Sequence, residues 1–301
     1  MKINLNDIGT EQRNLNTLNI DTLSTLEMVQ LINREDQRII ESIDEAAAEI
    51  AQAIDLTYKA IEEGGRLVYI GAGTSGRLGV LDASEILPTF GVGEESVIGL
   101  IAGGDLALRL PIESAEDSES LVIEDLKNID FNSKDVLCAI AASGRTPYCI
   151  GGLKYAQEIG AKTISLACVS NSEIGKIADV AIEAVVGQEV ITGSTRMKSG
   201  SATKMVLNMI TTGAMIKLGK VYGNLMVDVK TSNLKLIERA KNIIMDGSGC
   251  DYETASKYLD LTNNDVKLAI VMLKTSFEIN DAKELLSKFK GHVTKALDSL
   301  K

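Results

Sequence analysis

One stretch constrains this chain more than any other: Val68, Tyr69, Ile70, Gly71, Ala72, Gly73, Thr74, Ser75, Gly76 and Arg77 follow one another. It reads as a buried strand entering a glycine- and hydroxyl-rich turn and then a helix. Such a turn aims backbone N–H groups and the positive end of a helix dipole at an anion, typically a phosphate. Gly71, Gly73 and Gly76 also spell G-x-G-x-x-G. A dinucleotide site needs an acid at the end of the next strand, about 20 residues on, to hold the ribose. Here the next strand-like run, 96–101, leads into Ala102, Gly103 and Gly104, and the first acid is Asp105. A phosphate site without a dinucleotide fits better.

The rest of the chain repeats the theme of strand, loop and helix. Apolar runs at 67–70, 97–101, 136–141, 163–167 and 180–182 are continuous rather than alternating, as in parallel strands covered on both faces. Helices fit between them at 75–87, 113–127 and 147–159. The expected fold is α/β, a doubly wound parallel sheet, whose ligands sit beyond the C-terminal strand ends. Before it, Ser24 and Glu27 have capping-box spacing and open a short helix. A long helix with Ile39, Ile43, Ile50, Ile54 and Ile61 follows and ends at Gly64 and Gly65. After it, 198–221 reads as a long buried helix, and three or four short helices beyond Gly247 form a small bundle.

Composition excludes several function classes. A net charge of −11 argues against nucleic acid or an anionic membrane as partner. The only histidine is His292, near the end of the 301-residue chain, which leaves no histidine for a triad or metal site in the centre. The four cysteines lack C-x-x-C spacing and read as free thiols of a reducing compartment. Residues 1–15 show no signal-peptide pattern. The apolar run 205–218 carries Asn208, Thr211, Thr212 and Lys217, which suits a buried helix rather than a membrane span.

Three segments carry candidate anion ligands. In the first, Gly73, Thr74, Ser75, Gly76 and Arg77 open a helix; Ser75 serves equally as an ordinary N-cap. In the second, Ser143, Gly144, Arg145 and Thr146 follow a buried strand, and Thr146 with Pro147 is a good helix start. In the third, Ser194, Arg196 and Lys198 precede the long apolar helix. Cations at a helix N-terminus oppose its dipole, so they are expected to meet an anionic ligand or a carboxylate. Two acids are candidates for proton transfer. Glu85 falls in the last turn of the 75–87 helix, against the negative end of the dipole, as suits an acid. Glu116 falls in the first turn of the 113–127 helix, as suits a base. By pattern alone both also read as surface acids.

Taken together, residues 24–28, 71–85, 100–104, 115–118, 141–148, 193–198 and 224–228 resemble the sugar-isomerase (SIS) phosphosugar-binding family, and within it the N-acetylmuramic acid 6-phosphate etherase family. The resemblance runs in order along nearly the whole chain. It implies a SIS-type three-layer αβα domain at 65–246, an N-terminal arm and helices packed on it at 1–64, and a ubiquitin-associated-like helical bundle at 247–301. It places the family's two functional carboxylates on Glu85, as proton donor, and Glu116. It implies a cytoplasmic homodimeric enzyme of peptidoglycan recycling that needs no metal or cofactor and releases D-lactate from a phosphosugar. Glu85 lies ten residues along a helix from Ser75, roughly 15 Å by helical rise, so a site drawing groups from two subunits is expected. Two other readings remain: a phosphosugar isomerase, or a non-catalytic sugar-phosphate sensor using the bundle to bind partners.

Overall fold

A computed structural model describes residues 9–112, 114–231 and 233–301. Glu113, expected to open a helix, lies outside the described residues, as do positions 1–8 of the N-terminal arm. The chain divides into two units, Met1–Ser84 with Glu95–Thr211, and Glu85–Glu94 with Thr212–Lys301.

In the first unit, α1 (Thr25–Glu45) begins with the capping box the sequence predicts, Glu27 accepting from the Ser24 N–H at 2.9 Å. The division of the helices differs from expectation. The helix opened by Ser24 is not short: it continues to Glu45, breaks at Ala46, and α2 (Ala47–Glu62) follows. The segment around Arg34 lacks an apolar stripe, but Arg34, Glu35 and Arg38 are good helix formers. Arg38 also bonds Glu41 at 3.1 Å and Glu45 at 2.7 Å.

The five strands are β1 (Leu67–Gly71), β2 (Val97–Ile101), β3 (Val136–Ile140), β4 (Lys162–Ala167) and β5 (Val180–Glu183). All pair in parallel in the order β2-β1-β3-β4-β5. Every position of β1 and β3 is buried, which is why their sequences are continuously apolar. Val68, Ile70, Leu137 and Ala139 face one layer, packed with α4 (Leu121–Asn128) and α5 (Pro147–Glu158). On the opposite face Tyr69 meets α3 (Gly73–Phe90) and α6 (Lys198–Lys217) through a buried carboxylate. Its hydroxyl donates to Asp82 Oδ2 at 2.9 Å, and Asn208 Nδ2 donates to Asp82 Oδ1 at 2.6 Å. The result is the three-layer doubly wound architecture.

The helix expected over 113–127 is shorter. Ser114 adopts a left-handed backbone (φ 69), a single 3-10 turn spans Ala115–Asp117, and α4 begins only at Leu121, whose N–H donates to Ser118 Oγ at 3.1 Å. The hydroxyl competes for the backbone and moves the helix start.

Among its described residues the second unit holds the ends of α3 and α6, a two-stranded hairpin, β6 (Val221–Tyr222) and β7 (Leu225–Met226), and the helices α7 (Leu234–Ser248), α8 (Tyr252–Leu261), α9 (Val266–Thr275), α10 (Ile279–Lys288) and α11 (Val293–Asp298). Ala240, Ile244, Leu259, Ile270 and Ala296 are among its buried core. The bundle thus starts one helix earlier than the sequence suggests, with α7 capped by Asn233. Asp228 joins the hairpin to α9, bonding Lys267 at 2.6 Å and Lys220 at 3.1 Å.

Candidate functional site

The strand order creates the site. From β1 the chain goes on to β2 on one side, and from β3 to β4 on the other. The loops after β1 and β3 therefore open side by side at a topological switch point, where doubly wound sheets bind ligands. The register Gly71↔Ile140 brings both loops to one level.

The first loop is short because α3 starts at once. A Cβ on Gly76 would lie 2.6 Å from both Gly71 O and Ile101 Cγ1, so the helix start sits directly on the sheet. Gly73 has φ 53, a region costly to other residues. Thr74 and Ser75 are half-buried in the first turn of α3. Arg77 turns aside: its Nε donates to Leu108 O at 3.0 Å and its Nη2 to Ala107 O at 2.7 Å, bracing the segment after β2.

In the second loop Gly144 has φ 70, and a side chain there would overlap Ser172 Cβ. Ser143 is half-buried and Arg145 exposed. Thr146 is the N-cap of α5, and its hydroxyl makes no capping bond. A cavity of about 100 Å³ lies against this loop, lined by Ser143, Arg145, Ser170, Asn171 and Ser172 among others. That is room for one substituent, not a whole sugar.

Glu116 is exposed on the 3-10 turn. Its neighbour Ala115 packs in the cluster with Ala141, Tyr148 and Cys149, and Cys149 Sγ donates to Ile140 O at 3.3 Å. Burial, with a smaller push from Glu116, raises the Cys149 thiol to about 12. Glu116 is thereby placed near the ends of β1 and β3. It does not sit in the first turn of α4, so the dipole argument for it as a base fails. Glu85 is exposed on α3, in the second unit. Because α3 continues to Phe90, Glu85 is not in a last turn either.

The third segment is the clearest surprise. α6 begins at Lys198, and its positive end is already occupied by a carboxylate of this chain. The fully buried Glu189 accepts from Lys198 N at 2.9 Å, Ser199 N at 2.9 Å and Ser199 Oγ at 2.8 Å. Lys198 Nζ, itself buried, lies 3.3 Å from Glu35 Oε2. Burial holds the adjacent Asp36 above the usual carboxylate range against the pull of Lys198. Of the two expected outcomes for Lys198, the carboxylate is the one observed. Arg196 is exposed and Ser194 half-buried. Still, the first turn of α6 reaches the first loop, since a Cβ on Gly200 would lie 3.6 Å from Thr74 Cγ2. Sequence reasoning missed Glu189 and Glu35; their only signal was the misplaced cation at a helix start.

Among the described residues no group of three or more His, Cys, Asp or Glu could hold a metal ion, and no helix is long and apolar enough to cross a membrane.

The model of the SIS domain matches residues 111–213, and that of the glucokinase regulatory protein N-terminal SIS domain matches residues 49–157. A putative phosphosugar isomerase from Bacteroides fragilis, described as involved in capsule formation, shares the fold with a TM-score of 0.51. It is 18% identical over 67% of this chain and 95% of its own. Curated relatives align almost end to end. N-acetylmuramic acid 6-phosphate etherase from Clostridium botulinum (strain Loch Maree / Type A3) is 56% identical over 99% of both chains. The same-named protein from Lactobacillus gasseri is 55% identical over 98% of this chain and 99% of its own. Such identity, over both units and all three loop segments, shows that the chain belongs to the N-acetylmuramic acid 6-phosphate etherase family.

Proposed function

We propose that this chain is an enzyme that cleaves the D-lactyl ether of N-acetylmuramic acid 6-phosphate, giving N-acetylglucosamine 6-phosphate and D-lactate. The observation that carries the reading is the 54–56% identity to proteins of that name across 98–99% of the chain. Two hydroxyl-bearing loops at the switch point of the sheet support a phosphosugar as ligand.

The ether on the closed ring has a poor leaving group. In the open-chain aldehyde the C2 proton is acidic, being α to a carbonyl. Glu116 removes that proton. The C2=C3 double bond forms as the C3–O bond breaks, and Glu85 supplies the proton that lets lactate leave. Water then adds across the double bond, its hydroxyl to C3 and a proton to C2, and the ring closes. This chemistry asks for two carboxylates in general acid and base roles and no electron transfer. Ser75, Ser143 and Thr146, with the amides of their loops, hold the 6-phosphate. Gly73, Thr74, Gly76, Gly144 and Arg145 shape those loops. The protein acts as a cytoplasmic homodimer, with an arm and helices at 1–64, a catalytic domain after them and a helical bundle that begins with α7.

The test is lactate release from N-acetylmuramic acid 6-phosphate in water enriched in heavy oxygen. Lactate appearing with the label at C3 of the product sugar supports elimination and hydration. Label in the lactate itself sinks the mechanism. Aldose–ketose interconversion without lactate makes the protein an isomerase, and binding without turnover makes it a sensor.

A further inference from the structure

The loop that carries Ser143 and Thr146 does not stand alone. It leans on the turn after β4, and that turn is held by a carboxylate from β5. Glu183 Oε2 accepts from Asn171 N at 2.8 Å, and Oε1 accepts from Ser172 N at 2.8 Å and Ser172 Oγ at 2.9 Å. Ser172 Oγ in turn accepts from Gly175 N at 3.0 Å. Asn171 sits in the left-handed region, φ 55, which asparagine adopts more readily than most residues. The turn then grips the second loop: Ile174 N donates to Gly144 O at 3.0 Å and Cys168 N to Ala142 O at 3.0 Å. Ser172 Cβ is the atom that a side chain at Gly144 would strike. The small cavity is lined by Ser143 and Arg145 of the second loop and by Asn171 and Ser172 of the β4 turn, among others.

We propose that Glu183 is a positioning residue of the phosphosugar site. Through Asn171 and Ser172 it holds the β4 turn against Gly144, and so keeps Ser143 and Thr146 where the 6-phosphate is bound. The inference rests on the reading of those hydroxyls as phosphate ligands. Three donors converge on one carboxylate, and charge-assisted bonds of this kind are stronger than neutral ones. Asp179 offers the comparison. It accepts from Thr163 N and Thr163 Oγ1, both at 2.8 Å, and from Lys162 Nζ at 3.2 Å. It does so at the start of β4, the end of the sheet away from the loops.

The experiment measures KM, kcat and thermal midpoint for wild type, Glu183→Ala, Glu183→Gln and Asp179→Ala with N-acetylmuramic acid 6-phosphate. Glu183→Ala is expected to raise KM about tenfold while kcat changes less than about twofold, the scale of losing bonds to a charged acceptor. Glu183→Gln recovers part of the loss, because its amide oxygen still accepts from Ser172. Asp179→Ala lowers the thermal midpoint and leaves KM unchanged. A wild-type KM in Glu183→Ala, or an equal KM rise in Asp179→Ala, overturns the proposal. Should Glu183→Ala fail to fold, Ser172→Ala replaces it and is expected to raise KM about threefold; an unchanged KM there counts against the proposal equally. Should wild type release no lactate, the functional reading fails by itself. Calorimetric titration of wild type and variant with inorganic phosphate then decides the positioning role: weaker binding in the variant supports it, and equal binding overturns it.

Discussion

Replacing Gly144 by alanine separates two physical costs that the loop combines. Its φ of 70 is one that an L side chain adopts at about 1–2 kcal/mol. The added methyl would also stand 3.2 Å from Ser172 Cα and 3.3 Å from Val169 Cγ2 while overlapping Ser172 Cβ. Carbon atoms rest about 3.5–4.0 Å apart, so the β4 turn must retreat. It is tied on both sides, by Ile174 N to Gly144 O at 3.0 Å and by Glu183 to Ser172. Forcing an extra carbon into packing of this kind costs about 1–3 kcal/mol. Gly144→Ala is therefore expected to lose about 2–5 kcal/mol in all. Gly73→Ala is the matched control: its φ is 53, but no atom lies within 4 Å of the new methyl, so only about 1–2 kcal/mol is lost. Urea unfolding followed by circular dichroism compares the two, provided the slope with denaturant stays constant. Equal destabilisation in both variants would refute the close approach of the β3 and β4 loops and, with it, the support that Glu183 gives to Ser143.

Further expectations follow from other buried groups. Burial, only partly offset by bonds from Asn208, Tyr69 and Thr211, raises the Asp82 carboxyl above its ordinary 3.8. Above that value and below the raised one, the folded chain holds a proton that the unfolded chain has lost, so stability falls as pH rises through the window. The stability of wild type minus that of Asp82→Asn should decline from about pH 4 upward, and a flat difference in unfolding midpoints refutes the assignment. Cys138, Cys149 and Cys168 are buried with thiols pushed up, the last to about 11, whereas Cys250 is partly exposed. A thiol reagent should label one cysteine per chain quickly and the others only after denaturation; two fast sites would contradict the packing. Glu116→Gln and Glu85→Gln are each expected to cut kcat by about 10²–10⁴ with little change in phosphate affinity. A loss under about tenfold removes that residue from the acid–base role.

Much of the first unit was legible because its information is local. Continuous apolar runs located all five strands to within a residue or so, since a strand covered on both faces admits nothing else at Val68, Ile70, Leu137 or Ala139. The glycines at 71, 73, 76 and 144 announced two tight strand-to-helix turns before any contact was known. The order of the strands was not local. Only the assembled sheet, by placing β1 beside β3, set Ser75 and Ser143 at one switch point. Long-range pairing also decided what the charges do. Lys198 suggested an anion from its place in the chain, but Glu35 lies 163 positions away, and only folding brings it within 3.3 Å. Arg77 had the residue type of a phosphate ligand, yet carbonyls at 107 and 108 claim its guanidinium. The dipole arguments for Glu85 and Glu116 failed more locally: α3 runs on to Phe90, and the Ser118 hydroxyl, accepting from Leu121 N at 3.1 Å, delays the start of α4. The chain's own pattern therefore determined which elements form and where an anion could be held, while packing across distant segments decided which polar groups remain to hold it.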